Sequence, residues 1–132
     1  MAGDELFDDE LFDDDLFDRV RQAISPGDVV YTLSNRQPNR IDSIERRGIL
    51  VETDRSKKSD SGPQLVPAWM IRVAWRHLVK NGHLTNDELL NSRDLNVKRS
   101  SFVCALLARF PDVEVVSQRP IELRLLSPGR GR

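Results

Sequence analysis

The chain carries one cysteine, Cys104, two histidines, His77 and His83, and no apolar run near the roughly 18 residues that a membrane span needs. A lone cysteine excludes an intramolecular disulfide. No secretory signal pattern opens the sequence, so a soluble protein of a reducing compartment, the cytoplasm, is expected. His77, His83 and Cys104 are too few and too scattered for a metal site. No glycine-rich phosphate loop and no nucleophile elbow occurs. No metal, no cofactor and no catalysis are therefore expected.

Residues 4–18 also lack any Lys or Arg. They form three near-identical pentads: Asp-Glu-Leu-Phe-Asp at 4–8, the same at 9–13, and Asp-Asp-Leu-Phe-Asp at 14–18. The net charge of −1 over 132 residues hides this segregation. Nine of 21 acidic residues lie in the pentads, which leaves twelve against 20 basic residues, a body of about +8. Sixteen of those 20 are Arg. A GC-rich genome and phosphate recognition explain that bias equally well.

A period of five suits neither regular element. On a helix each Leu-Phe pair lands about 140° round from the last, and on a strand each flips to the other face. Residues 1–13 are therefore expected to be a disordered acidic tail. Three readings of it stand open. It is a solubilising segment, a linear motif whose anchors are Leu6, Phe7, Leu11, Phe12, Leu16 and Phe17, or a phosphate mimic that screens the basic body. The string resembles bacterial sliding-clamp-binding peptides, without the Gln that opens them. The third pentad also starts a helical pattern, with Leu16, Phe17, Val20, Ala23 and Ile24 on one side. A helix over 15–24, capped by Asp14 or Asp15 and stopped by Ser25-Pro26-Gly27, is expected.

The fold class expected is α+β. Residues 14–66 should hold this helix and a small antiparallel, SH3-like sheet. Its strands run from Val29 to Leu33, from Arg40 to Glu45 and from Ile49 to Thr53, with a hairpin turn at Arg46-Arg47-Gly48. Residues 54–64 read as a polar linker or as a phosphate-contacting loop. In the latter case Lys57 and Lys58 join Arg36, Arg40, Arg46 and Arg47 as secondary phosphate contacts.

Residues 67–126 read as helix, short helix, longer helix and β-hairpin. Pro67 opens the first helix, whose apolar face is Met70, Val73, Ala74, His77 and Leu78, and Asn81-Gly82 closes it. On that face His77 is expected to be a core or semi-buried histidine. Thr85 and Glu88 form a capping box for the second helix. Asn96 should cap a third helix over 97–109, with Cys104 as a small buried hydrophobe. Strands Val113 to Ser117 and Ile121 to Leu126 flank the turn Gln118-Arg119-Pro120. Residues 127–132 form a flexible basic end.

The order of these elements resembles a winged helix-turn-helix. That resemblance implies duplex-DNA binding, with Lys98, Arg99, Ser100 and Ser101 in the first turn of the recognition helix meeting the groove. Arg93 in the turn before it, and Arg119 and Arg124 on the wing, would clamp phosphates. A single winged helix binds weakly, so a homodimer or an attached partner is expected. The stretches TLSNRQPNRI (32–41), GILVETDRS (48–56), VPAW (66–69) and VKRSSFVCALLAR (97–109) are similar to accessory domains of bacterial restriction-type and other defence proteins, which implies a DNA-binding or nuclease-associated role. Pro111-Asp112 followed by Glu122-Leu123-Arg124 resembles a PD-(D/E)-x-K nuclease signature, with Arg in place of Lys. Its pieces fall on the wing, and a non-catalytic protein remains the leading expectation. The alternative is a protein–protein adaptor that uses the Leu-Phe pairs, with the winged helix as docking scaffold.

Overall fold

A computed structural model of the chain describes residues 11–54, 58, 62–91 and 97–126. The fold is α+β. Among the described residues it comprises four helices and two antiparallel sheets.

Helix α1 (Asp14–Ala23) starts one residue earlier than expected, because Asp13 and not Asp14 or Asp15 caps it. The Asp13 carboxylate accepts from the Leu16 amide at 2.9 Å, and Asp14 and Asp15 fill the first turn, where negative charge favours the dipole. Leu16 and Val20 are its buried face.

Strands β1 (Val29–Tyr31), β2 (Pro38–Glu45), β3 (Gly48–Thr53) and β4 (Gln64–Pro67) form the first sheet in the order β1-β2-β3-β4. A register shift between Ile41 and Ser43 bends the β2–β3 pair. The hairpin turn falls at Arg46-Arg47 as expected. Strand β4 was not foreseen. Gln64 and Leu65 follow a loop-like composition, and their strand conformation comes from pairing with Leu50 and Val51. Gly48 has φ +147°, and a Cβ there would lie 2.2 Å from the Val66 carbonyl oxygen, so β4 can close on β3 only because residue 48 has no side chain.

Pro67 then opens α2 (Ala68–Asn81), and Gly82 at φ +82° closes it in the left-handed conformation. Its fully buried line is Ala68, Ile71, Ala74 and Leu78, with Arg72 buried beside it, while Met70, Val73 and His77 are only half-buried. The expected face was thus rotated by about one position. Both rows are apolar, and contact with strands on one side and α4 on the other decides which goes deepest.

Strand β5 (His83–Thr85) leads into α3 (Asn86–Asn91); α4 (Ser100–Leu107), β6 (Val113–Gln118) and β7 (Ile121–Leu125) follow. The second sheet has the order β5-β7-β6. The strand His83 to Thr85 is not among the expected elements. Three residues carry too little pattern to declare a strand, and pairing with Glu122 to Arg124 imposes it. The expected Asn96 cap lies outside the described residues. Helix α4 is shorter than the expected 97–109, with Arg99 in the N-cap position.

The buried residues form one cluster from Phe12 to Leu123. Helix α4 is its centre. Phe102, Val103, Cys104, Ala105, Leu106 and Leu107 are all buried, and the helix touches α2 and α3 on one side and β1 of the first sheet on the other. A helix apolar on every side has to be enclosed on every side.

Candidate nucleic-acid interface

The first turn of α4 lies against the first sheet. Lys98 is exposed, Arg99 and Ser101 are half-buried, and Ser100 is buried. Lys98, Arg99 and Ser101 line a cleft of about 210 Å³ with Thr32, Gln37, Asn39, Thr53 and Asp54 from the sheet. Burial pushes the Arg99 guanidinium below its ordinary value, though an arginine keeps its charge at neutral pH. The turn between β1 and β2 also meets the β6–β7 hairpin, where the Arg119 Nη2 donates to the Ser34 carbonyl at 2.5 Å. Arg36 sits in the same turn with φ +57°, its guanidinium 5.3 Å from the Tyr31 ring centre. The structure therefore gathers Arg36, Lys98, Arg99 and Arg119 around one turn, although 83 positions separate the first from the last.

Four of the other predicted cations, Arg40, Arg46, Arg47 and Arg124, are held by carboxylates. Arg40 lies 3.6 Å from Glu52 and 3.9 Å from Asp42. Arg46 reaches Asp14 at 2.6 Å, Arg47 reaches Glu45 at 2.7 Å, and Arg124 reaches Glu114 at 2.5 Å. These pairs halve the basic footprint expected from composition. Lys58 is exposed, and Arg93 and Lys57 lie outside the described residues.

Two expectations need correction. Ser100 is 3 % exposed and cannot contact a groove. More generally, Phe102 to Leu107 are all buried, and Ala105 and Ala108 line a pocket of about 340 Å³ together with Val30, Tyr31 and Leu33 of the first sheet, which leaves little of α4 beyond its first turn to enter a groove. The even apolarity of Ser101 to Ala108 carried this signal, since a groove-entering helix keeps one polar side. The second correction concerns the tail. Phe12 is 2 % and Leu16 1 % exposed, so neither is a free anchor. Phe17 is half-buried, stacked on Phe12 with ring centres 5.9 Å apart and lying under the guanidinium of Arg46 at 4.7 Å. Leu11 is half-buried and its carbonyl accepts from the Arg72 Nη1 at 2.9 Å. The folded part thus begins at or before Leu11, not at 14. Burial of Phe12, which lies outside any helix or strand and so outside what periodicity can register, draws Leu11 to Asp13 in. Leu6 and Phe7 lie outside the described residues.

The nuclease-like residues do not converge. Asp112 stands beside the β7 end, its carbonyl accepting from the Leu126 amide, and its carboxylate takes bonds from Arg19 at 3.1 and 3.2 Å. Glu122 pairs with Ser117 near the other end of the hairpin. Four residues of strand separate the two levels, roughly 13 Å, which is too far for two carboxylates to share a metal ion. Among the described residues no group of three His, Cys, Asp or Glu is placed to hold a metal, and no helix is long and apolar enough to cross a membrane.

His77 is half-buried, as expected for its face, with its Nε2 3.5 Å from Glu88. Burial alone would raise the Glu88 carboxyl. The Thr85 amide, the charges of His77 and His83 and the Thr85 hydroxyl outweigh it and hold the group below its ordinary value. The capping box is complete, with the Thr85 amide donating to Glu88 at 2.9 Å and the Glu88 amide donating to the Thr85 hydroxyl at 3.1 Å. Burial pushes the Cys104 thiol up to about 12, the behaviour of a structural cysteine. No protein-family model, no curated protein and no solved structure matches the chain.

Proposed function

We propose that this chain is a non-catalytic duplex-DNA-binding protein that grips the phosphate backbone along the rim formed by Arg36, Lys98, Arg99 and Arg119, and does not insert α4 into the groove. The observation that carries this reading is the gathering of these four cations around the β1–β2 turn, without carboxylate ion pairs among the described residues, while Arg40, Arg46, Arg47 and Arg124 are each paired with a carboxylate. A half-buried arginine with no acidic partner among the described residues favours an anionic ligand. The reading also rests on the element order α2-β5-α3-α4-β6-β7, which includes the helix, short helix, longer helix and hairpin from which the winged-helix resemblance was drawn. Phosphate contacts position a protein on DNA without reading sequence, so weak sequence preference follows.

The acidic residues upstream of Leu11 act on this reading as a competitor for the rim. The adaptor reading loses two of its six anchors to the core, because Phe12 and Leu16 are buried. Fluorescence anisotropy with a labelled duplex tests the proposal. Lys98→Glu and Arg119→Glu should each weaken binding and reduce the salt slope by about one. Arg124→Glu, at a cation already paired with Glu114, should do less. Equal effects at all three positions would contradict the rim.

A further inference from the structure

The second pentad is held as a peptide is held by a receptor. The Phe12 amide donates to the Arg46 carbonyl at 2.9 Å, and the Phe12 carbonyl accepts from the Arg46 Nη1 at 3.3 Å. One step upstream the Leu11 carbonyl accepts from the Arg72 Nη1 at 2.9 Å. The segment is thus tied to the β2–β3 hairpin turn and to α2 through its own backbone amide and carbonyls, bonds that do not depend on which side chains the segment carries. Side-chain recognition comes from the Phe12 ring, buried and stacked on Phe17. Arg46 adds charge complementarity to the acidic flanks, as its ion pair with Asp14 shows.

Every one of these features needs only Leu-Phe between acidic residues, and the chain carries that ligand twice. Residues 4–8 and 9–13 have the same sequence, Asp-Glu-Leu-Phe-Asp. We propose that the cradle of Arg46, Arg72 and the Phe12 pocket is a recognition site for an acidic Leu-Phe peptide with two ligands in the same chain. The Leu11-Phe12 pair fills it in this structure, and Leu6-Phe7 takes it over when Phe12 is lost. Asp13 keeps its place as the cap of α1, and residues 8–12 become the loop that rejoins it. A loop of this length adds a modest closure entropy, which grows only slowly with length. Residues 4–8 are tethered a few positions from the cradle, so their effective concentration there is far above that of a second copy in dilute solution. This site is separate from the DNA rim and does not rest on it.

Thermal unfolding of four full-length chains tests the proposal: the unsubstituted protein, Phe7→Ala, Phe12→Ala and the double variant. Phe7→Ala should melt with the unsubstituted protein, and Phe12→Ala should melt lower. The double variant should melt lower still by about 4 °C or more, because only there does the cradle lack a phenylalanine. The Phe7 effect is thus silent in one background and expressed in the other, the mark of two residues that share one partner. If Phe7→Ala is silent in both, the pocket belongs to Phe12 alone and the proposal fails. If the Phe12→Ala melting point rises with protein concentration and a dimer sediments, a second copy supplies the pair and the intramolecular assignment fails. Should the Phe12→Ala chains be unfolded at all temperatures, Phe12→Leu with and without Phe7→Ala repeats the comparison in a milder background, with the same difference expected.

Discussion

Glu88 carries two duties, one visible in the sequence and one not. Thr85-Asn86-Asp87-Glu88 announces a capping box by its spacing, and both bonds form. The approach of His77, eleven positions upstream, depends on the packing of α2 against β5 and α3 and has no local signature. Thr85→Ala should cost about 1 kcal/mol, read by chemical denaturation. Because the Glu88 carboxyl titrates below its unfolded value, its contribution is present above the ordinary glutamate range and is lost as pH falls through the folded value. Glu88→Gln, which keeps the box, should flatten the loss of melting temperature from about pH 6 to about pH 3; an unchanged acid limb would assign that loss to other groups. Gly48 makes the opposite case. Sequence marks it as a turn residue, but its closeness to the Val66 carbonyl is a property of β4, an element the sequence hides. Gly48→Ala should destabilise by about 2 kcal/mol or more through strain and displacement of β4, measured by urea unfolding.

At the scale of elements, long apolar periods and turn chemistry were legible. Helix α1, helix α2, the β2–β3 hairpin and the β6–β7 hairpin all lie within a few residues of expectation. Strands β4 and β5 were not, because short strands take their conformation from partners distant in the chain. The same reason hid the role of Arg19. On sequence it is one more solvated charge in α1. In the structure it bonds Asp112 and lies 4.7 Å from the Trp75 ring centre and 5.9 Å from that of Phe110. It thereby ties the N-terminal helix to α2 and to the segment that follows α4. Arg19→Ala should lower stability by about 1–2 kcal/mol, while Arg21→Ala, on the exposed side of the same helix, should cost much less. Helix α4 was legible as an element, but its surroundings were not: its apolar remainder is enclosed by α2, α3 and the first sheet.

On the scale of the whole molecule, composition established the segregation of charge but not its pairing. Arg40, Arg46, Arg47, Arg109 and Arg124 are each within ion-pair distance of a carboxylate, so far fewer cations face solvent alone than a body of about +8 suggests. Arg46, expected as a phosphate contact, instead bonds the Phe12 carbonyl and pairs with Asp14. The boundary of the folded part matters for any truncation. Removing residues 1–13 would take away Phe12 and the Asp13 cap, and the fold would suffer with the tail. Removing 1–10 spares both, and on the competition reading should tighten DNA binding, most at low salt where screening is weakest. The most direct test of the central claim is the salt dependence of duplex-DNA affinity for the full chain. A rim of three or four phosphate contacts predicts a slope of about −3 in log K against log salt, reduced by about one in Lys98→Glu. No binding at low salt, or an affinity indifferent to salt, would contradict it.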